Sequence, residues 1–153
     1  MHLYRNKRFN QKNLEAVVDM AHDIRQWAEG LYAQFGNKGN CTWQDDMCGL
    51  CAIASFQLLK KARRRRFPVK MRQGWGHAYN RYGPYFIDIT ATQFDIDERV
   101  LVFHQSELQE IVNQASRAAW SDTDTACFSI PRIEKLFERW KGPEHPIEWR
   151  DHL

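Results

Sequence analysis

Three side chains with complementary chemistry stand on separate segments of the chain: a cysteine at 51, a histidine at 77 and an aspartate at 88. A thiolate attacks a carbonyl carbon, an imidazole takes and returns the proton, and a carboxylate orients the imidazole. Residues 46–59 pass from a polar approach through Gly49 into an apolar pattern of helical spacing, which puts Cys51 in or near the first turn of a helix. Unpaired backbone N–H groups and the positive dipole end at such a position favour the thiolate, the reactive form. The bland alternative is a small buried hydrophobe.

His77 and Asp88 need elements that bring them together. Residues 74–82 read as a strand carrying His77, and after Gly83-Pro84 residues 85–90 read as a second strand carrying Asp88. A Gly-containing turn between two such runs makes a hairpin, so the two side chains can be neighbours. Alternation places Trp75, His77, Tyr79 and Arg81 on one face and Gly76, Ala78, Asn80 and Tyr82 on the other. Trp75 would then shield the His77 site, line a substrate groove, or pack in the core. Gln93, in the loop at 90–94, is a hydrogen-bond donor near the site or a brace for its own loop.

Cys48-Gly49-Leu50-Cys51 resembles the Cys-Gly-x-Cys of papain-like proteases, whose second cysteine is the nucleophile. The order cysteine on a helix, then His77-Ala78 and Asp88-Ile89-Thr90 on successive strands, looks more like the transglutaminase-like branch of that superfamily. It is similar to small bacterial and phage proteins carrying a His-Ala…Ile-Asp-x-Thr-Ala-x-Gln-Phe segment. The resemblance covers residues from about 43 to 94. It implies an α+β fold, with the nucleophile helix packed on a small antiparallel sheet and further helices around it. It also implies acyl transfer on an amide through a thioester: Cys51 attacks, His77 moves the proton and Asp88 orients the ring. The backbone N–H of Cys51 and the Gln44 side chain are the oxyanion candidates. No cofactor is implied, and the substrate would be a protein or peptide. Water as acceptor gives a protease, amidase or deamidase, and an amine gives a transglutaminase, from the same residues.

Two other classes compete. Cys48-x-x-Cys51 is also a metal or redox spacing, and with Cys41 and either His77 or Cys127 it could form a structural zinc site. A second paired ligand motif, normal in zinc sites, is missing from the sequence. A thioredoxin-like pair would follow a strand within a βαβ pattern, and neither is present. The third class is a non-catalytic binding module using the basic run at 60–66. Basic residues at a helix C-terminus complement its dipole; the competing reading is an anionic partner, nucleic acid or an acidic protein surface. No aromatic-interleaved platform for nucleic acid accompanies the run.

With 153 residues, 43% of them apolar, and six Trp, nine Phe and five Tyr, one globular domain is expected, running from 1 to 153. Its core would span about 43–103, with an N-terminal helix at about 13–35 and C-terminal helices at about 106–140. A net charge of +3 gives no global electrostatic argument for nucleic acid. No apolar stretch reaches membrane-spanning length and residues 1–8 lack a signal-peptide core, so a cytoplasmic setting with reduced thiols is expected, delivery by a signal-less route remaining compatible. Without a secretory signal, the glycosylation sequon Asn40-Cys41-Thr42 carries no weight.

The remaining elements follow in order. Residues 1–12 read as a polar, basic, poorly ordered lead-in. Asn13 would cap a helix in which Leu14, Val17, Val18, Ala21, Ile24, Trp27, Ala28 and Leu31 form the apolar face, with His22 on its rim. A helix over about 48–64 buries Ala52, Ile53, Phe56, Leu59 and Ala62, and Ser55 either neighbours the thiol or permits close helix–sheet packing. Residues 67–72 form an edge strand marked by Pro68, and residues 99–103 a fourth strand. Ser106 with Gln109 makes a capping box opening a helix to about 119, with His104 just before it as a minor rival histidine. Ser129 would cap a last helix to about 140, and the tail 142–153 is peripheral.

Overall fold

A computed structural model describes residues 8–35, 50–74, 77–116 and 118–120, the segment 31–35 by its backbone alone. The described residues form an α+β arrangement of three α-helices and a four-stranded antiparallel sheet. The helices are α1 (Leu14–Phe35), α2 (Cys51–Arg64) and α3 (Leu108–Gln114); the strands are β1 (Val69–Gly74), β2 (His77–Tyr82), β3 (Tyr85–Asp88) and β4 (Leu101–His104). The strands pair in sequence order, β1-β2-β3-β4, so every connection is local.

Sequence alternation decides which side of the sheet each residue serves. Val69, Tyr82 and Ile87 point to the face covered by α1 and α2, where they meet Val17, Met20, Ala21 and Ile24 of α1 and Ala54, Leu58 and Ala62 of α2. Tyr79, Phe86, Leu101 and Phe103 point to the opposite face and pack with Phe94, Ile96, Ala119 and Trp120, with α3 alongside. Trp27, expected on the apolar stripe of α1, is 39% exposed. Arg25, 2% exposed, is buried instead. His22 lies exposed, in keeping with a rim position.

Turn chemistry sets the register. Gly83 and Pro84 are the two loop residues between the partners Tyr82 and Tyr85, and Gly83 adopts a φ of +55°. A positive φ at the first loop position is the pattern of a two-residue type II′ hairpin, which glycine supplies without steric cost. α2 ends in a Schellman motif: Arg66, at φ 60°, donates to the Arg63 carbonyl, and Phe67 N–H reaches back to the Ala62 carbonyl.

Several local expectations shift. The chain is already ordered by Phe9, whose ring packs edge-on to Tyr82, and by Asn10, whose backbone exchanges hydrogen bonds with the Tyr82 hydroxyl. Asn10, not Asn13, is the cap, opening a 3-10 turn at Gln11–Asn13 before α1. Residues 91–94, expected as a loop leaving the strand, form a 3-10 turn. The capping box near 106 has His104 as its N-cap and Glu107 as its reciprocal acceptor, ahead of α3. α3 stops at Gln114 instead of continuing to 119, because Ala115 turns extended and Ser116 N–H bonds the Phe94 carbonyl. That tertiary bond redirects the chain over the sheet, and it delivers Trp120 to the core. The expected features at 36–49 and beyond 120, the last helix and tail included, lie outside the described residues.

Candidate active site

Cys51 is the first residue of α2. The N-cap Leu50 supplies no side-chain hydrogen bond to the helix start; its carbonyl accepts the first helical bond from Ala54 at 2.9 Å. Leu50 therefore leaves the N–H groups of the first turn free of competition from its own side chain. The whole N-terminal half of α2 is buried: Cys51 is 5% exposed, Ala54 0%, Ser55 2% and Phe56 1%. Cys51 is a free thiol and packs with Ala52 and Ala78. Close approach of helix and sheet is helped by Asn80, whose side-chain amide donates to the Ser55 carbonyl at 2.9 Å. Ser55 thus serves packing through its backbone.

His77 opens β2 and Asp88 closes β3. Because Asn80 faces Ile87, Asp88 lies beside the position of Tyr79 and diagonal to His77, on one face of the sheet. His77 Nε2 and Asp88 Oδ2 are 2.6 Å apart, with both residues 1% exposed. Asp88 Oδ1 accepts from the backbone N–H of Thr90 at 2.9 Å. An aspartate bonding two residues onward makes an Asx-turn, which ends β3 and gives Asp-x-Thr a local structural reason. Trp120 Nε1–H donates to Asp88 Oδ2 at 2.7 Å. Phe94 meets the imidazole edge-on at 4.6 Å, and Trp120 packs edge-on to Phe94 and Phe103. The acid–imidazole pair is thereby walled by aromatic rings.

Cys51 lies close enough to the same imidazole to favour its charged form. With Nε2 committed to Asp88, Nδ1 is the ring nitrogen left for the sulfur. Burial is the largest single influence on His77 and disfavours its charge. The charge and hydrogen bond of Asp88, with smaller help from Cys51, outweigh it and raise the pKa from 6.5 to about 10. The ring therefore holds a proton strongly at neutral pH. Cysteine sulfur, imidazole and carboxylate thus form one buried chain of contacts drawn from a helix and two strands.

Gln93 stands beside this chain. Its Nε2 lies 3.5 Å from His77 Nδ1 and donates to the carbonyl and the hydroxyl of Thr90, each at 3.0 Å. Both amide hydrogens are engaged within the loop, so Gln93 braces the turn that follows Asp88. Gln44 and Trp75, the other oxyanion or substrate candidates, lie outside the described residues, as do Cys41, Cys48 and Cys127. Among the described residues, no three His, Cys, Asp or Glu side chains cluster as ligands for a metal ion. His104 is engaged as a helix cap, its Nδ1 accepting from Ser106 N–H at 3.1 Å. Lys61 and Arg63 to Arg66 are exposed around the C-terminus of α2, where they complement its dipole. Among the described residues, no helix is long and apolar enough to cross a membrane.

Two contributors went unread in the sequence. Arg25 reaches from α1 to donate to the Ile89 carbonyl at 2.9 Å and the Thr92 hydroxyl at 3.0 Å, and Glu29 binds it at 2.7 Å. The Arg25/Glu29 spacing of four residues, with the arginine next to buried Ile24, was a usable signal. Trp120 left none, since only tertiary folding sets it beside Asp88. No protein-family model, curated protein or solved structure matches this chain.

Proposed function

We propose that the protein is a thiol-dependent acyl-transfer enzyme acting on an amide carbonyl, a small hydrolase or deamidase of a protein side chain or peptide, with the transglutaminase variant differing only in the acceptor. The observation carrying this reading is the buried imidazole of His77, held by Asp88 at 2.6 Å and favoured in its charged form by the nearby Cys51 at a helix start. Such an order of elements, cysteine on a helix ahead of histidine and aspartate on successive antiparallel strands, is what a papain-like or transglutaminase-like core would have.

In the mechanism, the Cys51 sulfur attacks the carbonyl carbon while the proton rests on His77 Nδ1. The tetrahedral oxyanion is met by the backbone N–H of Cys51 and its neighbours in the first turn of α2, an effect worth roughly 10²–10³ in rate per donor. Collapse expels the amine, which takes the proton from His77, and leaves a thioester. Water or an amine then attacks the thioester, with His77 accepting its proton. Asp88 keeps Nε2 protonated and Nδ1 aimed at the sulfur throughout.

Incubation with electrophilic glutamine- and peptide-based probes followed by intact-mass analysis tests the proposal. The expected result is one covalent adduct, mapped to Cys51 and lost in Cys51→Ala. Labelling that ignores Cys51, or a bound zinc lost in both Cys48→Ala and Cys51→Ala, would replace the enzyme with the zinc-binding alternative.

A further inference from the structure

The carboxylate of Asp88 is contacted by more groups than the histidine it orients. Oδ2 receives His77 Nε2 at 2.6 Å and Trp120 Nε1–H at 2.7 Å, and Oδ1 receives the Thr90 N–H at 2.9 Å and the Thr90 hydroxyl at 3.4 Å. An indole N–H and a backbone N–H can only donate. Both carboxylate oxygens therefore accept from at least one fixed donor, an arrangement that favours the ionised carboxylate and so leaves the hydrogen of the 2.6 Å contact on Nε2. Neutral His77 then has a single accessible tautomer, with the Nδ1 lone pair left for the sulfur of Cys51. Trp120 and Asp88 are each 1% exposed, so the contact is shielded from bulk solvent in the folded protein.

We propose that Trp120 is a positioning residue of the site, whose indole N–H shares Oδ2 of Asp88 with the imidazole, so fixing the carboxylate in its acceptor role and moderating its pull on His77. The role rests on the acyl-transfer reading for its purpose, although the coupling itself does not depend on catalysis. Two donors on one oxygen compete, each weakening the other's bond, and the positive end of the indole dipole opposes a charge on the ring. The groups facing the imidazole, among the described residues, are Cys51 from α2, Asp88 from β3 and the Tyr79 ring on its own strand, with Gln93 and Phe94 from the 3-10 turn. Of the last two, neither titrates, so removing the indole N–H changes one uncharged influence on the pair.

The test is a titration of the His77 ring nitrogens by NMR in the parent and in Trp120→Phe, which keeps an aromatic ring against Phe94 and Phe103 and loses the donor. The expected result is an upward move of the His77 midpoint by roughly 0.5–1 pH unit, the worth of one net hydrogen bond. An unchanged midpoint in a folded variant overturns the proposal. Should Trp120→Phe fail to fold, the parent supplies the second measurement: the Trp120 indole N–H resonance must be protected from exchange and must move with the His77 titration. An indole proton that exchanges freely or ignores that titration overturns the proposal equally. Iodoacetamide labelling of Cys51 separates the two readings, since labelling indifferent to His77→Ala removes the catalytic purpose while leaving the Trp120 coupling measurable.

Discussion

His77 carries the sharpest physical consequence at the scale of single residues. Its pKa in the fold is about 10, against 6.5 for the unperturbed group. A histidine raised on folding adds stability that is fully present below pH 6.5 and is lost as pH rises through about 10. Chemical-denaturation midpoints collected from pH 6 to 11 are expected to fall across that window in the parent. The fall should be markedly shallower in His77→Gln, which cannot take up the proton. Equal slopes would mean that the Asp88–His77 contact does not bind a proton as its geometry implies. The candidate triad itself was legible at this scale, because Cys51, His77 and Asp88 differ chemically from the apolar runs around them. Trp120 was not legible, since its partner is 32 residues away and nothing in its local pattern distinguishes it from core packing.

At the scale of elements, the turn after β3 is held from outside by α1. Arg25 crosses to the Ile89 carbonyl and the Thr92 hydroxyl, and Glu29 ties both Arg25 and Arg99, the latter through contacts of 2.7 and 2.8 Å. Arg25→Ala would leave the buried Ile89 carbonyl without this donor while Glu29 keeps Arg99, at a cost of about 1–3 kcal/mol. Its second signature is faster hydrogen exchange at residues 91–94, read against an unchanged rate in β1. A loss of stability with no local loosening would place the role of Arg25 in α1 packing alone. The β2–β3 hairpin tests a different constraint. A Cβ added at Gly83 would lie 2.4 Å from a Phe9 ring atom, at a backbone φ of +55°. Gly83→Ala is therefore expected to lower stability by about 1–2 kcal/mol through backbone strain alone, and by more if Phe9 must leave its seat on Tyr82. Thermal melts check this, with Phe9→Ala as the reference in which the clash is absent.

Across the whole molecule, what was legible follows the range of the forces involved. Alternation along 77–82, the Gly83-Pro84 turn and the apolar periodicity of α1 and α2 are local, and they predicted the two helices and the β2–β3 hairpin, the α+β packing of helix on sheet being what the family resemblance implied. The end of α3 at Gln114 was not foreseeable, because residues 115–119 are compatible with a helix and only the Ser116–Phe94 bond draws the chain away. The same limit hid Arg25, whose partner Ile89 lies 64 positions on. Local pattern thus pointed to the helix and hairpin that carry the candidate triad, while long-range contacts supplied the groups around it.

The most direct measurement of the central claim is the pH dependence of Cys51 alkylation by iodoacetamide, with modification sites mapped by mass spectrometry, in the parent and in His77→Ala. Cys51 is expected to outpace an unstructured thiol peptide at mildly acidic pH, with His77→Ala slowing it roughly tenfold or more, the equivalent of about 1.4 kcal/mol. Identical profiles in the two proteins would contradict that claim.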